Sequence, residues 1–93
     1  MTEPVATGSF EIVNNLGLHA RAATKLVQLA TRFPCEVHIG RDGQTANAKS
    51  VMGVLLLCGA RGTFVEVAAR GPCAAEAVSA IGELIASRFG EDE

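Results

Sequence analysis

Short stretches of alternating apolar and polar residues recur along this chain, and segments of helical period separate them. Phe10 and Ile12 alternate with Ser9 and Glu11, and Cys35, Val37 and Ile39 with Glu36 and His38. Val65, Val67 and Ala69 alternate with Glu66 and Ala68. A period of two sends every second side chain to one face of a strand, so each strand covers one face and leaves the other in water. Strands of that kind suit an antiparallel sheet. Arg41-Asp42-Gly43 supplies a tight turn, which predicts a returning strand over Gln44 to Ala48. The helical segments supply the cover. Ala20, Ala23, Leu26, Val27 and Ala30 share one helical face, and Phe33-Pro34 ends it. A short helix over Val51 to Cys58 follows Ser50, with Val51, Val54, Leu55 and Cys58 as its apolar stripe. The last helix carries Ala74, Ala77, Val78, Ile81, Leu84, Ile85 and Phe89 at spacings of three and four, with Gly82 inside it where a neighbour packs close. The order is β-α-β-β-α-β-α. It predicts an α+β fold, with one four-stranded antiparallel sheet and three helices on one of its faces.

With 93 residues, of which 48% are apolar, the chain reads as one domain over 1–93 with a single buried core. Residues 1–8 read as a loose lead-in and 90–93 as a polar tail. A net charge of −2, no Trp or Tyr and only four Phe argue against nucleic acid as a direct partner. Cys35, Cys58 and Cys73 are odd in number and widely spaced, which is no disulfide framework and fits a reducing, cytoplasmic setting. They form no metal-ligand spacing with His19 or His38, so no metal and no cofactor is expected. The glycines lack a nucleotide-loop pattern. The longest apolar run, Val54 to Cys58, is too short for membrane insertion, and Met1 to Ser9 carry no apolar core of a signal peptide.

Two places carry chemistry. His19 stands at the start of the first helix, where unpaired backbone N–H groups and the helix field favour a neutral imidazole and welcome an anion. A neutral imidazole keeps a lone pair for nucleophilic attack, and Arg21 brings a guanidinium within reach of phosphoryl oxygens. His38 falls on the polar side of a strand and reads as a surface residue. The second place is Ser50, a cap and also a point where a phosphate would be electrostatically welcome. Behind it the short helix has more apolar residues than one stripe uses, which leaves Met52 and Leu56 for docking or for burial.

Asn15-Leu16-Gly17-Leu18-His19-Ala20-Arg21 resembles the active-site motif of HPr, the histidine-containing phosphocarrier family of the phosphoenolpyruvate-dependent sugar phosphotransferase system. Ala48-Lys49-Ser50-Val51-Met52-Gly53 resembles the family's second signature, around its regulatory serine, and the two stand at the family's spacing. The resemblance spans nearly the whole chain. It implies an open-faced β-sandwich. It implies that His19 takes a phosphoryl group on Nδ1 from phospho-enzyme I and passes it to a histidine of a sugar-permease enzyme II component, with Arg21 stabilising the group. It further implies docking through Thr24, Met52 and Leu55, regulation at Ser50 by an HPr kinase/phosphorylase, and a monomer that carries a phosphoryl group rather than acting as a stand-alone enzyme. Ala22 stands where the family usually has Pro, and Gln28 and Thr31 stand where many members have Lys. These departures favour a divergent member. A regulatory binding protein of a nitrogen-related or permease-less system is the alternative.

Overall fold

The computed structural model describes residues 3–93. Strands β1 (Val5–Glu11), β2 (Glu36–Arg41), β3 (Gln44–Asn47) and β4 (Phe64–Arg70) form one sheet in the spatial order β1-β4-β2-β3. Every pair is antiparallel. Helices α1 (Ala20–Ala30), α2 (Val51–Leu56) and α3 (Ala74–Ala86) lie on one face, and a short 3-10 turn, Arg88–Gly90, follows α3. This is the open-faced β-sandwich that the resemblance implies, built on the antiparallel sheet that the alternating strands predict.

The register explains the alternation. Phe10 faces Val65, Gly8 faces Val67, and Val67 faces Ile39 on its other side, so one row of inward side chains crosses the sheet. Val37, Ile39, Val65 and Val67 are buried, while Glu36, His38 and Glu66 stand exposed on the opposite face. α3 packs on β1, β4 and β2 through Ala77, Val78, Ile81 and Ile85, and α1 packs on α2 and α3. Gly82 is the point of closest approach, because a Cβ there would overlap the Phe10 ring. The β2–β3 turn is tight as expected, with Asp42 and Gly43 at φ 50 and 83.

Four expectations need correction. The loose lead-in expected over 1–8 does not hold for its second half: residues 1 and 2 lie outside the described residues, and Val5 to Gly8 belong to β1 and pair with β4 from Arg70 to Val67. Small residues and a glycine hid this half-strand, whose order comes from its partner. Ala20 is exposed and Ala22 is buried in its place, because the cap at His19 sets the phase of α1. Cys58 lies beyond α2 with φ 53 and is exposed, so Leu57 takes the buried place instead. Phe89 does not continue α3, which ends at Ala86; Arg88 and Phe89 turn into the left-handed region and drive the Phe89 ring into the core.

Candidate phosphoryl-transfer site

His19 is the N-cap of α1, with extended backbone (φ −78, ψ 177). The loop that delivers it depends on Gly17, whose φ is +65 and whose missing Cβ would run into the Gly59 carbonyl oxygen. Leu18 is pinned there by its N–H to the Gly59 carbonyl at 2.8 Å. The Arg21 backbone N–H, one of the orphan donors of the first turn, donates to His19 Nδ1 at 3.3 Å. Nδ1 therefore presents a lone pair and carries no proton. The Arg21 side chain is exposed and makes no hydrogen bond or ion pair among the described residues. Together with Asn15, Leu16 and Ala20 it lines an open cleft beside the ring.

The polar tail closes the other side of that cleft, and this part of the site was not legible in the sequence. Glu91 Oε2 contacts His19 Nε2, and Glu91 Oε1 accepts from Asn14 Nδ2 at 2.9 Å. Asn14 is fully buried, and its amide also donates to the Gly17 carbonyl at 2.9 Å. Both neighbours are acceptors, so the amide nitrogen must face them; Asn14 Oδ1 is left buried without a partner. Lys25 reaches from α1 to the Phe89 carbonyl at 2.6 Å, and Asn15 N–H donates to the Glu93 carbonyl at 3.0 Å. The tail is polar, as its composition says, but it is docked by these contacts. No local pattern could have linked Glu91 to His19, since the two are far apart in the chain.

The hydrogen bond from His19, then that from Asn14, and the nearby Lys25 charge hold the Glu91 carboxyl below its ordinary value of 4.5, against an opposing effect of burial. A carboxylate whose native pKa is lowered stabilises the native state fully above its ordinary value. That contribution is lost as pH falls through the lowered native value. The tail is therefore expected to stay docked near neutral pH and to release as the solution is acidified below 4.5. Carboxyl and ring chemical shifts of Glu91 and His19 followed by NMR would report the release; a tail that loosened on raising the pH instead would reverse the sign.

Ser50 sits at the start of α2, and its Oγ accepts from the Gly53 N–H at 3.1 Å. Thr24 is exposed on α1, with its hydroxyl bonded back to the Ala20 carbonyl at 2.7 Å. Met52 and Leu56 are exposed at 67% and 68%, so the surplus apolar residues of α2 face solvent and are not buried. Leu55 is half-buried and packs against the core. His38 is exposed on the bare face of the sheet. All three cysteines are free thiols, with only Cys35 buried. Among the described residues, no cluster of His, Cys, Asp or Glu could hold a metal ion, and no helix is long and apolar enough to cross a membrane.

Comparison with known proteins agrees with this geometry. The chain is 49% identical over 82 residues to the phosphocarrier protein HPr of Cupriavidus necator, covering 88% of this chain and 92% of that protein. It is 46% identical over 83 residues to the phosphocarrier protein NPr of Escherichia coli K12, with the same shares covered. Among solved structures it superposes on HPr of Thermoanaerobacter tengcongensis with a TM-score of 0.91 at 39% identity, covering 95% of this chain and 99% of the other. Residues 6–87 match the family described as the PTS HPr component phosphorylation site. A fold, a histidine-capped helix and a sequence match that span the same residues lead to one conclusion: this chain belongs to the HPr family of phosphotransferase-system phosphocarriers.

Proposed function

We propose that His19 is the residue that carries the phosphoryl group, accepting it on Nδ1 from phospho-enzyme I and giving it up to a histidine of an enzyme II component. The family works as a carrier between enzyme I and enzyme II and is not a stand-alone enzyme. The observation that carries the residue assignment is the ring's setting: Nδ1 unprotonated against the first-turn amide, at the mouth of a cleft that Arg21 shares. In the transfer the Nδ1 lone pair forms a new N–P bond in line with the breaking N–P bond of the donor. The electron pair of the broken bond stays with the donor's ring nitrogen. The Arg21 amide, which loses its acceptor on Nδ1, turns to a phosphoryl oxygen, and the Arg21 guanidinium meets the remaining charge. The test is incubation with phosphoenolpyruvate and enzyme I followed by intact-mass measurement: one phosphoryl group gained supports the assignment, none removes it.

Arg21→Ala is expected to slow uptake by about a hundredfold, the cost of removing one donor aimed at transition-state charge. Its melting temperature should stay close to wild type, because an exposed cation at a helix N-terminus does nothing for the helix. Stopped-flow transfer and thermal melts on the same variant check both halves. Normal transfer with a large loss of stability would make Arg21 structural.

Docking to enzyme I is assigned to Thr24 and to the apolar residues Met52 and Leu55, with Leu56 added by its exposure. Ser50 is assigned as a regulatory phosphorylation site for an HPr kinase/phosphorylase. Ser50→Asp keeps an oxygen to accept from the Gly53 N–H, so the fold should survive. The added charge beside Met52 must be desolvated on docking. Affinity for enzyme I is expected to drop about tenfold, or about 1.4 kcal/mol. Calorimetric titration of both proteins decides; equal dissociation constants would leave Ser50 as a cap alone. The same reading makes the chain a single-domain, monomeric, cytoplasmic protein. The 46% identity to NPr keeps service in a nitrogen-related system as the second reading.

A further inference from the structure

We propose that Glu91 is a positioning residue for the phosphoryl relay: its carboxylate holds the proton of His19 on Nε2 and so delivers Nδ1 as a bare lone pair. The inference rests on the reading of His19 as the acceptor. A carboxylate only accepts, so the contact between Glu91 Oε2 and His19 Nε2 places the proton on Nε2. The Arg21 N–H facing Nδ1 demands the same tautomer from the other side of the ring. An imidazole free in water divides its proton between the two nitrogens, and the Nδ1–H form cannot attack phosphorus until that proton has moved.

The carboxylate is itself held. Its second oxygen is bound by Asn14, which is fully buried and rooted on the Gly17 carbonyl, so Glu91 is anchored in the loop that carries His19. Leaving Asn14 Oδ1 buried and unpartnered is a cost the loop bears while both amide hydrogens are committed. The tail enters this position from the buried Phe89, whose carbonyl takes Lys25 Nζ. Other charged groups surround the cleft, including Arg21, Asp92 and Glu93, but among the described residues Glu91 is the acid that touches the ring.

The arrangement serves both directions of transfer. When the N–P bond forms at Nδ1, Nε2 keeps its hydrogen and the ring gains positive charge, which the Glu91 carboxylate balances in place. When the phosphoryl group leaves, the N–P electron pair returns to Nδ1 and the ring departs as neutral imidazole with its Nε2 proton still present. No proton has to be found or lost in either step. A ring stripped of that proton would have to leave as an imidazolate, a far poorer leaving group.

The test uses the whole chain with 15N-labelled histidine, as wild type, Glu91→Ala and Glu91→Gln. Ring 15N shifts report which nitrogen bears the proton, a quantity that a merely structural role for Glu91 would not move. Single-turnover uptake from phospho-enzyme I is measured beside it, with thermal melts. Wild type is expected to show the Nε2–H tautomer alone, and Glu91→Ala a mixture of both. Uptake by Glu91→Ala should fall about tenfold: an even mixture of tautomers costs only about twofold, and the rest is the carboxylate that no longer balances the ring's positive charge, on the scale of a metal-bound histidine losing its hydrogen-bond partner. Glu91→Gln keeps the shape without the charge and should be slower than wild type; it carries the test should the alanine variant fold poorly. Wild-type tautomer and rate in both variants, or faster uptake without the carboxylate, would overturn the proposal. Wild type that takes no phosphoryl group on His19 would overturn the carrier assignment and this inference with it, and is distinguished by appearing in the unmutated protein.

Discussion

His19→Ala is expected to take up no phosphoryl group from phospho-enzyme I while remaining folded. Its cost to the fold is that of a lost helix cap, about 1 kcal/mol. For a domain of this size that lowers the melting temperature by about 4–8 °C. The core does not depend on the ring: the residues that seat α1, namely Ala22, Ala23, Leu26 and Ala30, are buried apart from it. His38 cannot stand in, because it projects from β2 on the face of the sheet that carries no helices. Intact mass after incubation, read with a thermal melt, separates loss of chemistry from loss of fold. Full uptake by the variant would mean that another residue carries the group.

Phe89→Ala is expected to have the largest effect on stability of any single truncation near the site. The ring is fully buried although its backbone lies in the left-handed region (φ 54) just beyond α3. Removing it leaves a cavity and costs about 3–5 kcal/mol, a large share of the 5–15 kcal/mol typical of a whole domain. A functional consequence follows from the chain path. Phe89 anchors the turn that carries Glu91 two residues on, and its carbonyl receives Lys25 Nζ. Losing the anchor should undock the tail, so the Glu91–His19 contact is expected to disappear from NMR spectra of the variant even where it remains folded. Denaturant unfolding gives the stability change; a cost below about 1 kcal/mol with the tail still docked would show that the other tail contacts suffice.

The strands were legible because each has one wet face. Alternation marks β2 and β4 directly, and the Asp42-Gly43 turn marks the β2–β3 hairpin. The first half of β1 was not legible, since Val5-Ala6-Thr7-Gly8 offers little alternation and becomes a strand by pairing with β4. Phe89 looked like one more turn of α3 because spacing cannot reveal that a chain breaks its helix and still returns a side chain to the core. At the site, the local features could be read. His19 and Ser50 are caps whose partners lie two and three residues away, at Arg21 and Gly53. Asn14 and Glu91 could not be read as a pair, for their meeting is made by the whole fold. Asn14 belongs to none of the motifs in the sequence, and Glu91 reads there only as part of the polar tail.

The most direct measurement is the NMR spectrum of the protein phosphorylated by enzyme I and phosphoenolpyruvate, with 15N in the histidine rings. One phosphoryl group is expected, with phosphorus coupled to Nδ1 of His19 and the hydrogen retained on Nε2. Phosphorus on Nε2, on His38 or on Ser50 would contradict that expectation.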